Sequence, residues 1–370
     1  MWKITSWRNY SVKQIPKYPV DDLVKTQKKL QYLPPLVSVN KVDALKQQLA
    51  TLQKNNGFIV QLGECAETFA QANYQDVTER INLITEFSQI LSNKKNILPI
   101  GRIAGQYAKP RSSNFENTGV HIYKGDMVHD YNLRQLDATR FLVAYEKSAK
   151  TLKHMRYHEE IYTSHEALML PYEECFTYKI NNIYYNLTAH MLWLGDKTRF
   201  INSAHVEYLR GINNPIGIKV SHNASANELC QIIKILNPTN INNKIILINR
   251  MGIKYIKEYL PNILQSVQNN NLQVHWLCDP MHGNTFSTNN YKTRNMFDII
   301  KEVEVFQEIL NKYKVYFAGI HLEATYQNVT ECLDSQISPQ NLGNNYKTFC
   351  DPRLNKEQTI ELAKIIKDLL

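Results

Sequence analysis

Eight short apolar runs alternate with longer amphipathic stretches through most of the chain, and this rhythm restricts the fold more than any other feature. The runs are Phe58–Gln61, Leu98–Ala104, Glu160–Thr163, Leu187–Leu194, Ile216–Val220, Ile245–Asn249, Val274–Cys278 and Val315–His321. Each has strand length and β-branched or aromatic content, the third and fourth being the least sharply bounded. Strands separated by helix-sized segments make βα units, and eight such units close into a TIM (β/α)8 barrel of the α/β class. An open, doubly wound sheet is the rival arrangement. No GxGxxG follows any run, which counts against it. A chain of 370 residues, 43% of them hydrophobic, suits one large barrel with an addition. Residues 1–54 read as that addition, a short helical extension. Asp21 to Leu33 is helical and stops at Pro34-Pro35, and Val42, Leu45, Leu49 and Leu52 share one helix face. Residues 55–370 are then the catalytic barrel.

Bulk properties narrow the surroundings. No run of about 18 apolar residues is present, so no membrane partner is expected. Met1 to Arg8 carries two tryptophans and no apolar stretch leading to a small-residue cleavage site, so no secretory leader is expected. Six cysteines are scattered without a CxxC pair, the usage of reduced thiols in a cytoplasmic protein. The net charge of +9 fits nucleic acid, a membrane surface or small anionic substrates. A chain rich in Asn, Ile, Lys and Tyr also acquires such a charge from genomic base bias. No long block of Lys and Arg occurs, so a nucleic-acid role rests on charge alone and is not expected.

The residues capable of chemistry cluster at the ends of the eight runs. Cys65 follows the first and Arg102 lies in the second. His165 and Glu166 follow the third, and Trp193 to Lys197 close the fourth. Lys219 is in the fifth, Arg250 ends the sixth, His282 follows the seventh and Glu323 follows the eighth. In a (β/α)8 barrel the C-terminal strand ends converge on one mouth, so these scattered positions become one site. Two sets stand out. Cys65, His282, Glu323 and Asp351, with Asp279 nearby, offer thiolate, imidazole and carboxylate, a mixture suited to Mn, Fe, Co or Zn rather than Mg or Ca. Arg102, Lys109, Arg111, Lys219 and Arg250 offer cations for phosphate. A lysine inside Ile-Gly-Ile-Lys-Val is costly to bury unpaired, which favours a function for Lys219. Lys109 and Arg111 also fit a solvated loop. Cys65 fits a ligand, a nucleophile or a plain core residue.

Longer strings carry a resemblance. They are Tyr32-Leu-Pro-Pro-Leu-Val37, Gly101-Arg-Ile-Ala-Gly-Gln-Tyr-Ala-Lys-Pro-Arg-Ser112, Thr163-Ser-His-Glu-Ala167, Asn214-Pro-Ile-Gly-Ile-Lys219, Arg250-Met-Gly252, Cys278-Asp-Pro-Met-His-Gly-Asn-Thr285 and Cys350-Asp-Pro-Arg-Leu-Asn355. In these the chain resembles, nearly end to end, type II 3-deoxy-D-arabino-heptulosonate 7-phosphate (DAHP) synthase. The resemblance implies a metal-dependent, aldol-type condensation of phosphoenolpyruvate with erythrose 4-phosphate, at the head of the shikimate pathway. It implies Cys65, His282, Glu323 and Asp351 as ligands of a divalent metal, Mn first among the candidates. It implies catalytic roles for Lys219, Arg102 and Glu166. It places phosphoenolpyruvate on Arg102, Lys219 and Arg250, and the sugar phosphate on Lys109, Arg111 and Ser112. Trp193, Asp196 and Lys197 belong to the same substrate-binding set, and a homodimer is implied. Cys350 precedes a ligand and is expected to approach Cys65, so a disulfide between them would shut the site.

The chain departs from the family pattern at Leu62, Glu64, Lys124, Asp196, Lys197 and Tyr326, and all of these are expected near the mouth. Only Met127 to Tyr162 bridges a gap that longer members fill with regulatory helices. That shortening implies an enzyme insensitive to aromatic amino acids. Two other readings stay open: a diverged member using a different aldose in secondary metabolism, and a catalytically weak barrel kept as a binding protein.

Overall fold

A computed structural model describes residues 2–113, 115 and 121–370. Met1 of the expected extension lies outside that set. The chain opens with α1 (Val20–Leu30) and α2 (Val39–Ala50). Ser38 starts α2 by accepting a hydrogen bond from the Lys41 amide, as an N-cap should. Then follow β1 (Gly57–Gly63), α3 (Tyr74–Leu91), β2 (Asn96–Arg102), α4 (Arg140–His154) and β3 (Tyr162–Glu166). The short α5 (Leu170–Glu173) leads into a hairpin of β4 (Thr177–Ile180) and β5 (Ile183–Asn186). Next come β6 (Met191–Leu194), α6 (Ala204–Leu209), β7 (Ile216–Val220), α7 (Ala226–Leu236), β8 (Ile245–Asn249), α8 (Ile256–Asn269) and β9 (His275–Cys278). A second hairpin, β10 (Phe286–Thr288) and β11 (Tyr291–Thr293), precedes α9 (Met296–Lys312), β12 (Phe317–Glu323) and α10 (Lys356–Leu369).

Eight strands close in the order β1-β12-β9-β8-β7-β6-β3-β2, every neighbouring pair parallel. This is the (β/α)8 barrel expected from the alternating runs. Six of the eight strands shift from the expected runs at one or both ends, and three of the shifts bear on the site. The third strand begins at Tyr162 and takes in the polar Thr163-Ser-His-Glu166, because Thr163, Ser164 and His165 meet the buried polar side chains of His190, Gln61 and Glu173 rather than water. The fourth begins at Met191, since Leu187 continues the β4–β5 hairpin instead. The last extends to Glu323, so that carboxylate stands on the strand and not after it. Both hairpins are additions to the expected pattern. They turn at Asn181-Asn182 and Asn289-Asn290, pairs with positive φ at both residues, the demand of a type I′ turn.

Alternation along each strand sorts the core into two shells. Phe58, Val60, Leu62, Ile216, Ile218, Leu247 and Ile320 pack outward under the helices. Ile59, Leu98, Ile100, Tyr162, Met191, Trp193, Ile246, Ile248 and Leu277 pack inside the barrel, joined from below by Leu45, Leu49 and Leu52 around α2. Extending the inward parity toward the C-terminal ends reaches Arg102, Glu166, Lys219, Arg250, Asp279 and Glu323. The same two-residue period that fills the core thus aims these groups into the mouth. A polar layer separates the two zones. Gln61 donates to Ser164 Oγ (2.9 Å) and its Oε1 lies 2.7 Å from His321 Nδ1. Among the described residues, no helix is long and apolar enough to cross a membrane.

Candidate active site

A cavity of about 470 Å³ occupies the C-terminal mouth. Arg102, Lys109, Arg111, Ser112, Glu166, Trp193, Asp196, Lys197, Lys219, Arg250, His282 and Asp351 all line it. Cys65 and Glu323 lie just beneath, fully buried. The residues assigned to metal and substrates are therefore at or under one opening, whereas His165 is not: it is buried behind its strand with its Nε2 2.9 Å from Glu173 Oε1.

Beneath the opening, Cys65, Glu323 and Asp351 present ligand atoms within 4.8 Å of one another. His282 stands at the edge of this trio, its Nε2 2.9 Å from Glu323 Oε1. The other ring nitrogen, Nδ1, is 2.8 Å from Asp279, the kind of carboxylate support that fixes a ligating imidazole. One thiol, one imidazole and two carboxylates facing a common point fit a borderline divalent ion. The ammonium of Lys109 sits at that point: 2.9 Å from Cys65 Sγ, 2.7 Å from Glu323 Oε1, 3.1 Å from Asp351 Oδ2 and 3.5 Å from His282 Nε2. Lys109 is thus no solvated loop residue. It places positive charge where the four donors converge. Burial opposes that charge, but the groups of Cys65, Glu323 and Asp351 outweigh it and hold the ammonium well above its ordinary pKa.

Around Glu323 the charge is layered. Arg102 Nη2 (3.0 Å) and Lys109 share Oε1, while Arg294 Nη2 takes Oε2 at 2.8 Å. Burial alone would raise this carboxyl, yet His282, Lys109 and Arg294 keep it well below the usual range. Burial pushes the Cys65 thiol well up, reinforced by its hydrogen bond with Cys350 and by Glu323. Cys350 thus does approach Cys65, in one small cluster with Tyr123.

Higher in the mouth, cations and two titratable groups face the cavity. The Lys219 ammonium is bonded to the Asp279 carboxylate, and burial lowers its pKa to about 8. Glu166 is raised to about 7 by burial, and its Oε1 has no partner. A Cβ on Gly195 would lie 1.9 Å from that oxygen, so only glycine allows Glu166 its position. Arg250 keeps Nε without a partner while its other nitrogens bind Asp196 (3.3 Å) and the His282 carbonyl (3.2 Å). Asp196 also accepts from Arg199 (3.0 Å) and Ser221 (3.0 Å), so its carboxylate aligns cations at the rim. Lys197 reaches Ser112 Oγ across the opening.

Several site residues escaped the sequence reading. Ser221, His222 and Asn223 line the cavity directly after β7, where extending the strand-end rule by three residues finds them. Lys292, on the β10–β11 hairpin, and Arg294 carry no sequence signal, because hairpin and partners are defined only in three dimensions. The six departures from the family pattern also separate. Only Asp196 and Lys197 line the cavity. Glu64 is buried in an ion pair with Arg353 at 2.7 Å. The Tyr326 hydroxyl bonds Asp76 on α3, directing the ring away from the mouth. Leu62 packs in the outer shell of the core, and Lys124 does not line the opening either. Glu64 and Lys124 still adjoin the site, their carbonyls accepting from Arg102 Nε (3.0 Å) and the Lys109 amide (2.8 Å), so the expectation of closeness to the mouth is corrected for Leu62 and Tyr326. Reverting Lys197→Arg is expected to lower the KM for the phosphate-bearing substrate severalfold, whereas Tyr326→Phe leaves steady-state constants unchanged; both are read by initial rates.

A closed barrel whose mouth gathers seven Lys and Arg side chains over a mixed sulfur, nitrogen and oxygen donor set defines an enzyme for small anionic substrates. Residues 2–160 and 153–367 match the Class-II DAHP synthetase family. A phospho-2-dehydro-3-deoxyheptonate aldolase of Neurospora crassa is 34% identical, covering 99% of this chain and 94% of the relative. A second, from Mycolicibacterium smegmatis, is 32% identical, covering 96% and 92%. The chain belongs to the class-II DAHP synthetase family and is a transferase of the 3-deoxy-7-phosphoheptulonate synthase class. The solved structure of a Francisella tularensis phospho-2-dehydro-3-deoxyheptonate aldolase shares the fold, with a TM-score of 0.57 and 14% identity over 95% of this chain and 97% of that one. The Neurospora alignment spans 451 positions against 370 residues here, so that relative carries segments with no counterpart in this chain.

Proposed function

We propose that the enzyme condenses phosphoenolpyruvate with erythrose 4-phosphate to give DAHP and inorganic phosphate, the entry step of aromatic biosynthesis in the cytoplasm. The observation that carries this reading is the convergence of Arg102, Lys219 and Arg250 on one cavity directly above Cys65, Glu323 and Asp351. Two phosphorylated anions need a cationic mouth, and an aldehyde needs an electrophile beside it. Cys65, His282, Glu323 and Asp351 would hold a divalent metal, Mn or a borderline ion like it, which polarises the aldehyde oxygen as a Lewis acid.

This chain's own residues do the rest. Arg250, with its unpartnered Nε, and Lys197 receive phosphate at the rim, while Arg102 and Lys219 hold phosphoenolpyruvate at the floor. Arg111 and Ser112 meet the sugar phosphate from the opposite lip. C3 of the enol bonds to the aldehyde carbon, and Lys219 gives a proton to the new alkoxide. Glu166 removes a proton from the water that adds to C2. The bond from C2 to the phosphate-bearing oxygen then breaks, the C2 hydroxyl proton passes to the departing phosphate as the ketone forms, and the proton gained by Glu166 replaces the one given by Lys219 through solvent.

The protonation states set a pH window. Glu166 must be ionised to act as a base, so activity is lost as pH falls through about 7. Lys219 must be protonated to donate, so activity is lost as pH rises through about 8. A bell-shaped kcat/KM profile with limbs near these values is expected, measured by phosphate release. A flat profile across this range contradicts the two roles.

The test of the whole reading is an assay of Mn-loaded protein with phosphoenolpyruvate and a panel of aldoses, following phosphate release and product mass. Turnover with erythrose 4-phosphate supports it. Turnover only with another aldose favours a diverged specificity, for which Asp196 and Lys197, both departures from the family pattern and both in the cavity, are the structural motive. No turnover despite bound metal favours a binding protein. We further expect phenylalanine, tyrosine and tryptophan to leave the rate unchanged, since α4 alone bridges the span where longer relatives carry regulatory helices. Inhibition at micromolar concentration in the same assay contradicts that.

A further inference from the structure

Behind the mouth, Glu302 on α9 is a fully buried carboxyl that the mechanism above does not use. Among the described residues no cation pairs with it. Such a group is costly to bury unless both oxygens find donors. They do. Oε1 accepts from the Gly252 amide at 2.8 Å, and Oε2 accepts from the Asn284 side chain at 2.7 Å. Burial raises the Glu302 carboxyl to about 8. Asn284 in turn accepts from the Ile253 amide (2.9 Å) and donates to the Pro280 carbonyl (2.8 Å).

These bonds join two loops. Gly252 lies in the loop after β8, two residues beyond Arg250. Asn284 lies in the loop after β9, two residues beyond His282. The loops touch backbone to backbone: a Cβ on Gly252, at φ +82°, would lie 2.5 Å from the Gly283 carbonyl, and one on Gly283 would lie 2.1 Å from the Gly252 nitrogen. Arg250 Nη2 completes the junction by donating to the His282 carbonyl at 3.2 Å. Asp279 orients the His282 ring, but nothing in that contact fixes the distance between the two loops.

We propose that Glu302 is a positioning residue that clasps the β8 and β9 loops, holding the phosphate-binding Arg250 and the metal-binding His282 in register with one another. This rests on the reading of the mouth given above. Its signature is joint: one substitution remote from both ligands weakens substrate and metal together. A packing role alone has no such signature, because an apolar side chain of similar volume fills the same space.

The test compares Glu302→Leu and Glu302→Gln with the wild-type holoenzyme. Mn affinity is read by competition with a chromophoric chelator, phosphoenolpyruvate binding by calorimetry, KM and kcat by phosphate release, and folding by thermal unfolding. For Glu302→Leu, Mn affinity is expected to fall about 10- to 100-fold, with the phosphoenolpyruvate KM rising about tenfold or more. Glu302→Gln keeps the shape, so it reports even where the leucine variant fails to fold. Its amide supplies one acceptor and meets a donor on the other side, so a smaller but still joint loss is expected. A lowered thermal midpoint with Mn affinity and KM within about twofold of wild type overturns the proposal. So does a loss confined to one ligand. The two binding measurements need no turnover, so they stand even where the assigned reaction fails in the wild-type protein.

Discussion

Replacing Glu323 with glutamine is expected to abolish metal binding, cut turnover by on the order of 10³-fold or more, and destabilise the fold at the same time. The carboxylate is fully buried and answers to Arg102, Lys109, His282 and Arg294 at 2.7 to 3.0 Å. A neutral amide leaves three permanent cations in a low-dielectric pocket with part of their counter-charge gone, and its NH₂ group must face one of them. Breaking a buried ion pair by removing one partner costs about 3–5 kcal/mol. Denaturant unfolding of the variant should show that loss, and calorimetric titration with Mn should show no binding. Near-native Mn affinity in Glu323→Gln would remove the residue from the ligand set.

The second large effect concerns the proton. Lys219→Met preserves length and apolar contacts inside β7 while deleting the ammonium. Loss of a positioned general acid lowers kcat by about 10²- to 10⁴-fold. The variant should also lose the alkaline limb of the pH profile, because the group that titrates near 8 is gone. Asp279 keeps its contact with His282 Nδ1 at 2.8 Å, so the ligating ring stays oriented in the variant. A variant with wild-type kcat and an intact alkaline limb contradicts donation by Lys219.

Much of this arrangement was legible in the chain, and the gaps have physical causes. The strands with apolar inward and outward faces, such as Ile216–Val220 and Ile245–Asn249, are bounded as the runs indicate. The expected bounds of the third strand are displaced because Ser164 and His165 meet buried polar partners, Gln61 and Glu173, and polarity in a sequence looks like solvent. Tyr326 illustrates the opposite failure. Its position three residues after Glu323 suggests closeness to the mouth, but the chain turns after β12 and delivers the ring to α3. Lys109 is the most instructive. Its stretch was assigned to sugar phosphate, and it does line the cavity, yet its ammonium meets Cys65, Glu323 and Asp351. Those three arrive from separate parts of the barrel, and no periodicity reports their encounter. Glu302 and Arg294 were invisible for the same reason: a buried charge is identified by its partners, not by its neighbours in sequence.

The packing of α2 against the underside of the barrel has a consequence for traffic. Leu45, Leu49 and Leu52 are buried against the inward-facing strand residues at the end opposite the mouth and plug it. Reactants and products must therefore share one doorway. In the proposed reaction, inorganic phosphate would leave past Arg250 and Lys197, the same rim by which phosphoenolpyruvate would enter. Cations that draw a substrate anion in also hold a product anion back, so release of phosphate past that rim is expected to limit turnover at high substrate, which added inorganic phosphate would show as product inhibition.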